Sequence, residues 1–98
     1  MVEIIQTDAF QAWLSALRDR RAATRILVRI ARLADGNPGD VKPVGEGLSE
    51  MRIDHGPGYR VYFTRRGGVL IIVLCGGDKA TQDKDIRQAK TLAQAWKD

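Results

Sequence analysis

The stretch from Gly47 to Lys79 constrains this chain more than any other. It holds three strand-length runs, over residues 47–54, 59–65 and 69–75. His55-Gly56-Pro57-Gly58 separates the first two and Arg66-Gly67-Gly68 the second and third; the last closes on Gly76-Gly77-Asp78-Lys79. Short runs bounded by glycine- and proline-bearing turns are the signature of a β-meander. The first two runs alternate, because successive strand side chains point to opposite faces. Met51, Ile53, Val61 and Phe63 share one face, and Glu50, Arg52, Asp54, Arg60, Tyr62 and Thr64 share the other. The third run is apolar throughout, as in a strand covered on both sides. This pattern predicts an open sheet face carrying two arginines and a tyrosine, with Lys79 where the last strand ends.

The flanks supply helices. Residues 2–6 form a short apolar strand, and Thr7 or Asp8 offers an N-cap to a first helix. Ala9, Phe10, Trp13, Leu14 and Leu17 make one apolar stripe, and Ala23, Ile26, Leu27, Ile30, Leu33 and Ala34 a second. Arg18-Asp19-Arg20-Arg21 breaks the two apart, and Gly36-Asn37-Pro38-Gly39-Asp40 ends the second helix. Residues 40–46 read as a loop holding Lys42 and Pro43. After the meander, Thr81 is expected to cap a third amphipathic helix, with Asp83 and Asp85 in its first turn and Ile86, Ala89, Leu92, Ala93 and Trp96 on its apolar face. The order is β-α-α-β-β-β-α. The fold class is α+β: a small twisted, mostly antiparallel sheet packed by an N-terminal helical hairpin and a C-terminal helix.

Bulk properties narrow the function. Ninety-eight residues suffice for a single domain spanning 1–98 but not for two cores. No run approaches the roughly 20 apolar residues that cross a bilayer. The first residues lack the basic start and apolar core of a signal peptide, so a cytoplasmic location without membrane contact is expected. The single cysteine, Cys75, lies in the most apolar strand and reads as a small buried residue. One histidine and one cysteine, without clustered carboxylates, do not make a metal centre, and neither metal nor cofactor is expected. Gly76-Gly77-Asp78-Lys79 lacks the Walker pattern and reads as a strand-to-helix turn. The formal charge of +4 suits a polyanionic partner, but its placement matters more than its size.

Two groups of cations stand out. Arg52 and Arg60 fall on facing strands around one turn and on one face, where like charges repel unless something anionic joins them. Glu50 and Asp54 share that face and offer an internal alternative. Lys79 and Lys42 add charge nearby, Arg65 lies further along the same strand as Arg60, and Tyr62 could pack or stack on a base. Arg21, Arg25, Arg29 and Arg32 recur every three or four residues along the second helix. They form either a solvated face or a rail for a nucleic-acid backbone or an acidic protein segment.

Leu48-Ser49-Glu50-Met51-Arg52-Ile53, Gly58-Tyr59-Arg60-Val61-Tyr62-Phe63, the apolar run 69–75 and the run 76–86 beginning Gly76-Gly77-Asp78-Lys79 together resemble the RelE/ParE superfamily of type II toxins. The similarity is greatest to the HigB-like, phage-derived addiction-module killer branch, and covers nearly the whole chain. It implies a RelE-like fold and a ribosome-dependent mRNA endoribonuclease that inhibits translation and is restrained by a cognate antitoxin. That antitoxin would be a helix-turn-helix protein encoded in the same operon. By the family's motif, Arg60 would stabilise the scissile phosphate, Arg52 would be a second clamp or proton-transfer partner, and Lys79 the general acid. Lys42, Tyr62, Arg65, Arg25 and Arg29 would contact RNA. The chain departs from the pattern at Asp85-Ile86, where a tyrosine is common, and in having Arg52 where paired lysines are usual; His55 is a possible base. The alternative within the superfamily is a ParE-like DNA gyrase inhibitor without chemistry, and a third is a non-toxic protein-binding module. The basic trio Arg52, Arg60 and Lys79 favours the ribonuclease.

Overall fold

A computed structural model describes residues 2–96. In chain order it comprises β1 (Glu3–Gln6), α1 (Asp8–Ala16), α2 (Arg20–Ala34), β2 (Val41–Gly45), β3 (Leu48–Ile53), β4 (Tyr59–Arg66), β5 (Leu70–Asp78), a 3-10 turn (Lys79–Thr81) and α3 (Gln82–Ala95). The sheet order is β1-β5-β4-β3-β2, with β1 parallel to β5 and every other pairing antiparallel. This is the α+β class expected from the sequence, and it agrees with a RelE-like arrangement.

The hairpin covers one face and α3 the other. Phe10, Ile26, Ile30 and Leu33 from α1 and α2 pack on Met51, Ile53, Val61, Phe63, Ile71 and Val73. On the opposite face Ala89 and Ile86 of α3 meet Leu48, Tyr62, Ile72, Leu74 and Cys75. Each large side chain withdrawn from water contributes roughly 1.5–3 kcal/mol. β5 is covered by the hairpin on one face and by α3 on the other, so it is buried on both, as its unbroken apolar run predicts. A bulge opposite the Tyr62–Phe63 step lets β5 turn both Leu74 and Cys75 toward α3.

Local capping fixes the hairpin's entry and exit. Thr7 accepts the Phe10 amide at 3.1 Å and donates its own hydroxyl to the Leu74 carbonyl, tying the start of α1 to β5. Asp19 caps α2 by accepting the Arg21 and Ala22 amides.

Four expectations need correction. Residues 41–45 are not loop but the edge strand β2, where Pro43 is tolerated because an edge strand has one side without ladder bonds. The glycines of Gly76-Gly77-Asp78-Lys79 do not form a turn; β5 runs through them to Asp78. A Cβ at Gly76 would lie 2.4 Å from the Trp13 ring, and one at Gly77 would overlap the Asp85 carboxylate, so close packing on both faces demands glycine. Thr81 makes no side-chain cap to α3; its hydroxyl donates to Asp85, while Asp78 caps the 3-10 turn. Lastly, the polar face of the meander is not open. The apolar stripe of α3 lies across it, leaving Tyr62 and Glu50 wholly buried and Arg60 8% exposed.

Candidate functional site

What α3 leaves uncovered is one end of the sheet. There β3 and β4 close on the turn at residues 54–58, β5 ends, and the 3-10 turn delays the start of the helix. A cleft of about 320 Å³ opens at this end, walled by Arg52, Arg60 and Lys79 together with Asp40, Asp54 and Gly58. Arg52 and Arg60 are direct cross-strand partners. The stem of Lys79 crosses Gly58 so closely that a Cβ there would sit 3.0 Å from it, which directs the exposed lysine into the same cleft. The sequence-predicted trio is thus brought together.

Behind the two arginines stands Glu50. One carboxylate oxygen accepts Arg52 Nε at 3.1 Å and lies 3.7 Å from Arg60 Nε. The other accepts the Tyr62 hydroxyl at 3.0 Å and Gln82 Nε2 at 2.7 Å. Burial pushes this carboxyl up, but the hydrogen bonds from Gln82, Arg52 and Tyr62 and the charge of Arg60 outweigh it and hold Glu50 below the usual carboxylate range. Arg60 donates Nη1 to the Gly58 and Tyr59 carbonyls at 3.3 and 3.2 Å, while its buried Nε has no hydrogen-bond partner. An unmet buried donor costs roughly 1–3 kcal/mol. Glu50 answers one of the three positive charges, so the internal alternative raised by the alternation is present, yet the cleft persists in front of it.

The remaining sequence candidates lie elsewhere. Tyr62 is covered by α3 and donates to Glu50, so no base can stack on its ring as placed; burial, then the charge of Glu50, drive its hydroxyl pKa up. Lys42 is exposed on β2 opposite Glu50 in register, outside the cleft lining. Arg65 is exposed five residues beyond Arg60 on β4, roughly 16 Å along the strand. Arg29 leaves the helical rail: its guanidinium donates to the carbonyls of Arg52 at 2.6 Å, Pro38 at 3.1 Å and Asp40 at 3.2 Å. It is a strut pinning the cleft wall to α2. Arg25 and Arg32 are exposed and line a neighbouring hollow of about 350 Å³ with Thr24, Val28, Ile53 and Asp54; the last two belong to the cleft as well. His55 is bonded to Asp19 at 2.8 Å, and that bond foremost, with the Ala22 amide second, lowers the Asp19 pKa. The histidine therefore joins the β3–β4 turn to the cap of α2. Among the described residues no cluster of three or more metal-ligating side chains occurs.

Sequence reasoning named Glu50 as a neutraliser of the arginines but missed its burial, Gln82 as its partner and Asp40 as a wall. Strict alternation puts Glu50 on the face of Arg52 and Arg60, and only the cover by α3 makes it a buried centre. Gln82 and Asp40 arrive only through tertiary packing.

The fold and cleft define a small α+β protein with paired strand arginines at one open sheet end. The chain belongs to the phage-derived Gp49-like protein family (DUF891), whose model matches residues 12–97; the family is associated with toxin–antitoxin modules. A Haemophilus influenzae protein described as uncharacterized is 57% identical over 93 residues, covering 95% of this chain and 94% of its own. No solved structure matches the chain significantly. Among the described residues no helix is long and apolar enough to cross a membrane.

Proposed function

We propose that this protein is the toxin of a type II toxin–antitoxin module, of the HigB-like branch of the RelE/ParE superfamily, and that it is a metal-independent endoribonuclease acting on mRNA at the ribosome in the cytoplasm. The observation that carries the reading is the pairing of Arg52 and Arg60 directly across β3 and β4, in one cleft with Lys79. Glu50 offsets one of the three positive charges at the cleft, and a phosphodiester is an anion that suits the guanidinium groups that remain.

In RNA the substrate brings its own nucleophile. The ribose 2′-hydroxyl attacks the adjacent phosphorus, the P–O5′ bond breaks, and a 2′,3′-cyclic phosphate and a 5′-hydroxyl result. Arg60 and Arg52 stabilise the charge that builds on the non-bridging oxygens. Lys79, exposed at the cleft mouth, gives its proton to the departing 5′-oxygen, and Asp40 or Asp54 accepts the 2′-hydroxyl proton. His55 is not assigned that role, because it does not line the cleft and its Nε2 is bonded to Asp19. Base stacking by Tyr62 and phosphate contacts by Arg29 drop out of the reading, since neither group is presented to solvent for that purpose.

The exposed face of α2 supports the second half of the assignment, a proteinaceous antitoxin. Leu27 and Val28 are 43% and 44% exposed, flanked by Arg21, Arg25 and Arg32. An apolar patch rimmed by cations suits an acidic amphipathic segment better than a bare phosphate backbone.

The test is inducible expression in a bacterial host with 5′-end mapping of transcripts and plasmid topology measured together. Growth arrest with cuts confined to translated messages supports the ribonuclease. Arrest with intact mRNA and altered supercoiling would instead identify a gyrase inhibitor, and growth unaffected in the absence of the neighbouring small gene would refute both toxin readings.

A further inference from the structure

We infer that Glu50 is a positioning residue: it sets the two cleft guanidiniums in a shared orientation before substrate arrives. The inference rests on the ribonuclease reading for its consequence, though its structural half stands alone.

A buried carboxylate needs a reason. Removing a charge from water is costly, and apolar replacements of similar volume are often as stable. Joining α3 to the sheet does not demand one, since Tyr62 and Gln82 could be served by a neutral acceptor. The division of labour between the two oxygens is more telling. The one bonded to Tyr62 and Gln82 anchors the carboxylate to β4 and to the first residue of α3. The other faces both Nε groups, at 3.1 and 3.7 Å. A guanidinium held by its Nε edge must turn its Nη edge the opposite way, because the fork is planar and rigid. Arg52, bonded at Nε and 34% exposed, lines the cleft; Arg60 is held at Nη1 by the Gly58 and Tyr59 carbonyls, with Glu50 near its Nε as a charge contact at 3.7 Å and no hydrogen bond.

The carboxylate also makes the pair tolerable. Arg52 and Arg60 oppose each other at a cross-strand position where like charges repel, and one negative charge between them offsets that repulsion while leaving the pair with net positive charge. An arriving phosphate thus meets preset donors, and little reorganisation is left for the transition state. Glu50 is not a proton acceptor for the substrate: it is fully buried, and both oxygens are occupied by donors from its own chain.

The test compares the wild-type chain with Glu50→Gln, which keeps the shape, and with Gln82→Ala, which frees the anchoring oxygen at a partly exposed site and keeps the question answerable if the first variant fails to fold. Two readouts are taken. The first is the nitrogen–proton NMR signal of each arginine Nε, assigned with Arg52→Lys and Arg60→Lys. In the wild type the Arg52 and Arg60 signals should exchange slowly with water. In Glu50→Gln the Arg52 signal should exchange at least tenfold faster, and in Gln82→Ala by a smaller factor, while the signals of Arg60, whose Nε makes no hydrogen bond, and of Arg25 change less. The second is single-turnover cleavage of ribosome-bound mRNA at a temperature where every variant is fully folded. Glu50→Gln should lower the saturating rate 10- to 100-fold with KM changed less than threefold, and Gln82→Ala should lower it about threefold. Unchanged arginine exchange overturns the inference whatever the activity. Faster exchange with an unaltered cleavage rate overturns the positioning role, leaving only a structural one. If the wild type cleaves no RNA, the proposed function fails, and the NMR readout alone decides whether Glu50 orients the pair.

Discussion

Replacing Arg60 tests the cleft most directly, and burial makes the experiment subtler than the sequence suggests. An exposed strand arginine could be removed at almost no cost to stability, but Arg60 is 8% exposed. Arg60→Ala removes two long hydrogen bonds, at 3.3 and 3.2 Å, a 3.7 Å contact with Glu50, and the packing of the stem under α3. The bonds are worth about 0.5–1 kcal/mol each at that length, and Glu50 keeps Arg52, Tyr62 and Gln82, so no charge is stranded. The expected loss is on the order of 2 kcal/mol, which lowers the melting temperature of a domain this size by roughly 10 °C. Removing a donor to a transition-state oxyanion costs about 100- to 1,000-fold in rate, well beyond that stability effect. Arg60→Lys, which keeps the charge but loses the fork, should fall nearly as far. Both variants are to be expressed at a temperature where circular dichroism shows them folded, then scored for growth arrest and for mRNA cleavage. Partial recovery of cleavage by millimolar guanidinium, below denaturing concentration, is expected for Arg60→Ala. Full growth arrest by either folded variant would refute the phosphate-clamp argument.

The same geometry yields three further outcomes. Lys79→Ala changes an exposed residue, so stability should move by no more than about 0.5 kcal/mol while cleavage falls at least 100-fold; undiminished cleavage removes the general-acid role. Asp19 has its pKa lowered in the folded chain, so the stabilisation is present above the unfolded value of 3.8 and is lost as pH falls through the folded one. Asp19→Asn should therefore flatten the fall of melting temperature below about pH 4, and an unchanged acid limb would sink the link between the α2 cap and His55. Gly76→Ala places a methyl 2.4 Å from the Trp13 ring and should cost about 2–3 kcal/mol, much of it recovered by adding Trp13→Leu; a single variant as stable as wild type contradicts the packing.

The elements that repeat locally were legible. Period-two alternation placed Met51, Ile53, Val61 and Phe63 on one face and paired Arg52 with Arg60, and helical spacing gave all three helices. The edge strand β2 was hidden because its hairpin turn is Glu46-Gly47 rather than a recognised Asn-Gly or Asp-Gly. Glu46 takes a positive φ of 55°, as that two-residue turn requires of a side chain that rarely adopts it. Spacing groups Arg29 with Arg25, because it reports which helix face a residue starts from and not where a long side chain ends. The cover over the polar face could have been deduced. Three amphipathic helices and one sheet need both sheet faces, because the stripe of Ile86, Ala89 and Leu92 has no other place to go.

That cover alters what the cations can do. Had the sheet face been open, Arg52, Arg60 and Tyr62 would have formed a wet, shallow surface on which each charge is screened and each contact with phosphate weak. With α3 in place, Arg60 is desolvated and Tyr62 becomes part of the floor. Glu50 is held from the helix side by Gln82 at 2.7 Å. A guanidinium in such surroundings interacts more strongly with an anion than the same group in bulk water. The helix that removes most of the expected binding surface thus strengthens the part it leaves, and the delay of α3 by the turn Lys79–Thr81 keeps that part accessible.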